Sequence, residues 1–213
     1  MNGSVLACFV MDIRTICVLA AAFAPLAARA ADPHMTSQER EKTMALLAES
    51  KKQFMAAIDG VSDQQWTWKP APERWSVGET AEHIVLSERL LFGAVERALA
   101  SPPNPDWESK TGTKAELLEK VLPARRGKAQ APDPLVPTGK MSKAEVLAKF
   151  DENRARVTKF TQDTDAPLKQ HTMENPFFKT LNAYDWLIYV PFHTQRHVKQ
   201  IDEVKATAGY PAQ

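Results

Sequence analysis

Four Ser/Thr-x-x-Glu boxes, most of them followed by apolar residues at helical spacing, restrict this chain to a helical architecture. They are Thr36-x-x-Glu39, Ser76-x-x-Glu79, Thr113-x-x-Glu116 and Ser142-x-x-Glu145. In such a box the hydroxyl and the carboxylate each satisfy an orphan N–H of the first helical turn. The first box predicts a helix to about Asp59, stopped by Gly60, with Met44, Leu47, Met55 and Ile58 along one stripe and Phe54 beside it. The second opens a helix to about Ala100, whose apolar content includes Ile84, Leu90, Leu91, Val95 and Ala98; Pro102, Pro103 and Pro105 forbid continuation. The third starts only a short helix, ending near Leu122, inside a proline-rich stretch that runs to Pro137. The fourth leads to about Thr161, with Val146, Phe150, Val157 and Phe160 at core spacing. A last long helix is predicted from about Ala183, capped by Asn182, to about Ala208, with Gly209 and Pro211 ending it. Pro191 lies inside it, leaves the Leu187 carbonyl without its helical donor, and predicts a kink two residues before His193. Residues 61–75 and 162–180 read as loops, and no strand pattern or repeat stands out. Trp66, Trp68 and Trp75 make the first loop too apolar for a solvated linker, so they are expected across one end of the fold or at a pocket mouth. The architecture expected is all-α: a four-helix bundle with a short extra helix in its long crossover.

The first thirty residues are expected to lie outside that fold. A short charged start at Met11-Asp12-Ile13-Arg14, an apolar run over 15–26 and the small-x-small site Ala28-Arg29-Ala30 read as a signal peptide cut after Ala30. The alternative is a single membrane-anchoring helix, for which the apolar run is short. Translation starts at Met1 or at Met11. Cleavage removes Cys8 and Cys17 and leaves a thiol-free chain, residues 31–213, in the periplasm or outside the cell, with no membrane attachment. Over the 213 residues, 27 Lys and Arg balance 26 Asp and Glu, and no extended basic run is present, so nucleic acid is not expected as a partner. The small cluster Arg125-Arg126-Gly127-Lys128 reads as an exposed loop tip.

The chemistry is expected on the last helix. His193 and His197 are four residues apart, so both imidazoles leave one face and can enter one metal's coordination sphere. A third ligand from another helix would complete a three-histidine site with an open position. His83 is the candidate; the alternative for it is a surface residue paired with Glu79 or Ser87. His171 is expected at the surface or on a pocket rim, and His34 in the frayed N-terminus. Thr194 stands where a helical metallopeptidase needs glutamate, and the Glu-x-x-His pairs of di-iron bundles are lacking. Trp75, Tyr189 and His171 are candidates to border a pocket. Binding needs neutral imidazoles, so affinity should fall as the pH drops below about 6.5. Three readings follow: a metal-dependent enzyme, a non-catalytic metal-binding or stress-related protein, and a helical interaction module without metal.

Two stretches narrow this. Glu73-Arg74-Trp75-Ser76 followed by Val77-Gly78-Glu79-Thr80-Ala81-Glu82-His83-Ile84 resembles the second-helix signature of the DinB-like superfamily, and Leu181-Asn182-Ala183-Tyr184-Asp185-Trp186 with His193-Thr194-Gln195-Arg196-His197 resembles its last helix. The resemblance implies an up-down-down-up four-helix bundle, often a homodimer, that binds a divalent ion such as zinc or nickel. Matched onto those motifs, the ligands are His83, His193 and His197. The family includes thiol-dependent transferases, and an exported member would meet little of a cytoplasmic thiol. The export signal and the proline-rich insertion depart from the family pattern.

Overall fold

Each long helix begins at a reciprocal cap, and the computed structural model places those caps where the sequence puts them. It describes residues 31–125 and 130–212. The expected leader with Cys8 and Cys17, and Arg126, Gly127 and Lys128 of the basic cluster, lie outside the described residues. Helix α1 spans Ser37–Ile58, α3 Val77–Leu99, α6 Lys143–Asp163 and α7 Ala183–Lys205, with Thr36, Ser76, Ser142 and Asn182 each exchanging both capping-box hydrogen bonds. Between α1 and α3 lies a short helix, α2 (Asp63–Thr67), where a loop was expected. Its cap, Ser62 with Gln65, is the glutamine form of the same box. The crossover carries two short helices, α4 (Trp107–Thr111) and α5 (Lys114–Val121), and a 3-10 turn at Asp133–Leu135. Thr113 precedes α5 without making a side-chain cap bond.

Side chains that tie the helix ends together give the direction of each helix. Arg40, at the start of α1, donates to the carbonyls of Gln162 and Thr164 at the end of α6 (3.1 and 2.7 Å). Lys143, at the start of α6, reaches the Val61 carbonyl just beyond α1, so these two helices are antiparallel. Asn153 donates to the Val85 carbonyl, and Arg156 pairs with Glu96 further along, so α3 and α6 are parallel. Lys205 at the end of α7 donates to the carbonyl of Ala57 at the end of α1, so α7 runs with α1. The bundle is therefore up-down-down-up. Helix α7 packs on α1 and α3, and α6 packs on the same two from the other side. Two successive parallel helices, α3 and α6, need a connection that returns the whole length of the bundle. The proline-rich segment provides it.

One correction concerns the loop before α7, where no strand was expected. Thr172–Asn175 (β1) pairs antiparallel with Lys179–Asn182 (β2), with Thr172 opposite Asn182. Asn175 Oδ1 accepts from the N–H groups of Phe177 and Phe178 (both 2.9 Å), and Lys179 takes the left-handed conformation at φ 60°. A three-residue connection closed by a left-handed residue is a standard hairpin solution. Each strand carries a single apolar residue, Met173 or Leu181, so no period-two alternation marks it and the sequence pattern did not reveal the pair.

The core falls into two apolar halves. One gathers Leu47, Leu91, Val157 and Leu187; the other gathers Phe54, Ile84, Phe150 and Ile201. Between them lies a buried polar layer of Ser50, Glu88, Arg154 and Thr194, one residue from each bundle helix. Arg154 forms an ion pair with Glu88 and donates to Ser50 Oγ (2.6 Å), to the Leu47 carbonyl and to Thr194 Oγ1 (3.2 Å). Thr194 Oγ1 donates to the same Glu88 oxygen (3.0 Å). Burial pushes the Glu88 carboxyl up, and the neighbouring guanidinium pulls against it. Among the described residues, no helix is long and apolar enough to cross a membrane.

Candidate metal centre

His83, His193 and His197 come together at the α3–α7 seam. Each offers a ring nitrogen, and these atoms lie within 4.8 Å of one another. The ring centroids are 5.2 Å apart for His83 and His193, 4.5 Å for His83 and His197, and 4.3 Å for His193 and His197. The Nε2 atoms of His193 and His197 are 3.2 Å apart. Two imidazoles on one tetrahedral zinc, at bond lengths of 2.0–2.1 Å, would hold their nitrogens about 3.3 Å apart. His83 is buried, so it is not the surface residue of the alternative reading.

The orientation of two rings is set from outside the cluster. His83 Nδ1 lies 2.7 Å from the Leu135 carbonyl, which can only accept, so that nitrogen carries the proton and Nε2 presents a lone pair. Ser87 Oγ stands 3.4 Å from that Nε2, one turn along α3. His197 Nδ1 lies 2.9 Å from Gln200 Oε1, and the same reasoning leaves its Nε2 as an acceptor. Leu135 belongs to the 3-10 turn of the crossover, and Glu82 anchors that region. Its carboxylate accepts from Thr138 N (2.9 Å), Thr138 Oγ1 (2.8 Å) and Gly139 N (2.8 Å). The proline-rich insertion thus reaches back onto α3 and supplies an orienting group.

Electrostatics favour the neutral rings. Burial, before any other cause, lowers the pKa of His83 and holds those of His193 and His197 well below the ordinary histidine value. The nearby rings of the cluster add to the effect on His193 and His197. A donor set of three neutral imidazoles suits a zinc-like or nickel-like divalent ion and leaves its charge uncompensated.

Trp75 packs 4.8 Å from the His83 ring and Tyr189 5.9 Å from the His193 ring, so both border the site as expected. Trp66 and Trp68 serve the end of the bundle instead. Trp66 lies so close to Gly78 that a Cβ there would meet its ring at 2.4–2.8 Å, and Trp68 meets Tyr210 edge-on at 5.5 Å. His171 is not part of the site. Its Nδ1 lies 2.7 Å from the Ser101 carbonyl, beyond the far end of α3 from His83. Sixteen residues of helical rise separate His83 from the end of α3 at Leu99, about 24 Å. Helix α7 continues through Pro191, which is buried. Arg125, read as a loop tip, is instead half-buried and paired with Glu203 (2.7 and 2.9 Å). Glu88, Arg154 and Thr194 did not stand out in the sequence. Their signal was a polar residue on an apolar stripe: Ile84-Glu88-Leu91, Phe150-Arg154-Val157 and Val190-Thr194-Ile201. A surface groove of about 610 Å³ is lined by Leu47, Lys51 and Arg154, on α1 and α6 at the side of the bundle opposite the histidines.

Residues 46–201 match the DinB superfamily, well over half of the chain. The chain is 23% identical over 163 residues to the uncharacterized protein YuaE of Bacillus subtilis (strain 168), covering 76% of this chain and 96% of YuaE. Its fold is similar to that of YfiT from Bacillus subtilis, described as a probable metal-dependent hydrolase with an unusual four-helix bundle topology. That likeness has a TM-score of 0.59 at 15% identity and covers 86% of this chain and 93% of YfiT.

Proposed function

Because this chain belongs to the DinB superfamily, we propose that it is an exported divalent-metal-binding protein whose three-histidine site serves a hydrolytic reaction. The observation that carries the proposal is the convergence of His83, His193 and His197, with two of the rings pinned through Nδ1 so that Nε2 faces the cluster. When bound, a divalent ion with three imidazole ligands supplies Lewis acidity and a water nucleophile near neutral pH. The chain's own residues hold and orient that group. Helix α7 contributes two ligands from one rigid element, and His83 closes the site from α3. Trp75 and Tyr189 form apolar walls; burial pushes the Tyr189 hydroxyl up to about 12, so it stays protonated. Hydrolysis is favoured over thiol transfer because an exported protein meets little thiol and because the structurally similar YfiT is described as a probable hydrolase.

A second reading, a non-catalytic metal-binding or stress-related protein, draws on one observation. The two buried carboxylates nearest the histidines in sequence are both engaged, Glu82 with the crossover and Glu88 with Arg154, so neither is poised as a general base. Metal analysis of untagged protein, followed by an ester, amide and phosphoester panel with and without chelator, separates the readings. Chelator-sensitive turnover supports the enzyme, and bound metal without turnover supports the second reading. Absence of metal removes both. His193→Ala or His197→Ala should abolish tight zinc binding, His83→Ala should weaken it strongly, and His171→Ala should leave it unchanged.

A further inference from the structure

Gln200 orients His197, and something must orient Gln200. An amide has an acceptor end and a donor end, and its two flips differ in what they offer a neighbour. Arg125 Nη1 donates to Gln200 Oε1 at 3.0 Å, the same oxygen that lies 2.9 Å from His197 Nδ1. A guanidinium has no acceptor, so the flipped amide would set its NH2 against Arg125. The flipped amide would also present a donor to His197 Nδ1. That would drive the proton to Nε2, the nitrogen 3.2 Å from His193 Nε2. Arg125 is itself held: Nε donates to Glu203 Oε1 at 2.7 Å and Nη2 to Oε2 at 2.9 Å, a fork on one carboxylate one turn beyond Gln200. Its backbone takes the left-handed conformation, φ 48°, which is uncommon for a residue other than glycine.

We propose that Arg125 is a positioning residue for the histidine cluster: by locking the Gln200 amide it holds His197 as the Nδ1–H tautomer, with the Nε2 lone pair directed at His193 and His83. The proposal assigns the crossover a second point of control over the site. Leu135 orients His83 from one part of the segment, and Arg125 orients His197 from another. The relay deepens the metal reading above and rests on it only where metal affinity is the readout.

The test uses the full-length chain, labelled with 15N-histidine and freed of metal by chelator. Long-range proton–nitrogen spectra report the tautomer of His197, and competition with a chromophoric chelator reports the Zn2+ dissociation constant. In the wild type, His197 carries its proton on Nδ1. Arg125→Ala populates the Nε2–H tautomer and weakens Zn2+ binding at least about tenfold, the range in which outer partners of a metal ligand act. Gln200→Leu, which removes the acceptor outright, does the same. A carboxylate has no donor end to flip, so Arg125→Ala/Gln200→Glu restores the Nδ1–H tautomer and most of the affinity. A merely structural Arg125 would lower thermal stability while the tautomer stayed as in the wild type, and that result overturns the proposal. So does a double variant that remains as impaired as Arg125→Ala alone. Should the wild type take up no Zn2+, the metal reading fails, and the spectra of the metal-free proteins still decide the relay.

Discussion

Three imidazoles gathered together, His83 and His197 buried and His193 half-buried, resist protonation more than any one of them would alone in water, and this sets how the protein responds to acid. Unfolded, each titrates near pH 6.5. Folded, His83 is lowered and His193 and His197 are well below that value, with burial the first cause in each. As the pH falls below about 6.5, the unfolded chain takes up protons that the folded chain refuses. The metal-free protein therefore loses stability from about pH 6.5 down to the folded-state values, by up to about 1.4 kcal/mol per histidine and pH unit. Asp185 works the other way. Burial raises its carboxyl to about 7, so the folded chain binds that proton first and stability is gained as the pH falls through 7 towards the unfolded value. The difference between wild type and His193→Gln/His197→Gln isolates the histidines. In urea titrations at pH 7.5 and 5.5 with chelator, the wild type should lose more stability than the variant, and equal losses would refute the argument. Affinity for a divalent ion at the cluster should correspondingly be more acid-resistant than free histidine implies. Protons compete with the ion below the lowered folded-state values, not from pH 6.5 as the reference pKa alone suggests.

At the scale of elements, the four bundle helices are joined by a polar layer that the two apolar halves enclose. Glu88 on α3 and Arg154 on α6 are buried to 1% and 2% exposure, and Glu88 Oε2 and Arg154 Nε have no hydrogen-bond partner among the described residues. Such a pair costs desolvation on both sides, and removing one partner leaves an uncompensated buried charge. Glu88→Ala should therefore destabilise the protein by about 3–5 kcal/mol, with Arg154→Ala comparable. Glu88→Leu/Arg154→Met, which removes both charges, should cost much less than the sum of the single changes. Chemical denaturation of the single and double variants measures the coupling; additive losses would show that the two residues do not act as a pair. The layer also limits how α7 turns about its axis. Thr194 must face Glu88 while its neighbour His193 faces the α3–α7 seam, so packing and site geometry are determined by adjacent residues on one helix.

At the scale of the molecule, the connections decide how the helices are ordered and what reaches the histidines. The up-down-down-up order makes α3 and α6 parallel, and the returning crossover passes the histidine cluster, where His83 and Glu82 hold it to α3. Zinc should stabilise such an assembly, because the ligands converge only when α3 and α7 are docked. At a free concentration a thousand times the dissociation constant, the gain is about 4 kcal/mol. A thermal melt with and without zinc should show the midpoint rising with the ion, and no shift at saturating zinc would contradict a site spanning two helices. We also propose a homodimer and an exported form beginning at Ala31, the first from family resemblance and the second from Ala28-Arg29-Ala30. Light scattering at high micromolar concentration should give twice the chain mass. N-terminal sequencing from a native-like host should begin at Ala31, and a cytosolic chain that retains Met1 or Met11 would exclude export.

Local chemistry by itself determined where the long helices start, because a capping box needs only residues three apart: Thr36 with Glu39, Ser76 with Glu79, Ser142 with Glu145. It also determined that His193 and His197 share a face, since a helix turns once in about 3.6 residues. What lies across the bundle was a different matter. That His83 completes the cluster follows from the docking of α3 on α7, contacts more than a hundred residues apart in the chain. The proline-rich stretch read only as a long crossover with one short helix, because its prolines interrupt regular structure. Only the tertiary arrangement showed that it delivers a carbonyl to His83 and a guanidinium to Gln200. Glu88 and Arg154 did not stand out, because a charge on an apolar stripe acquires its meaning only from the element that faces it. Here each faces the other, and no local pattern encodes that pairing.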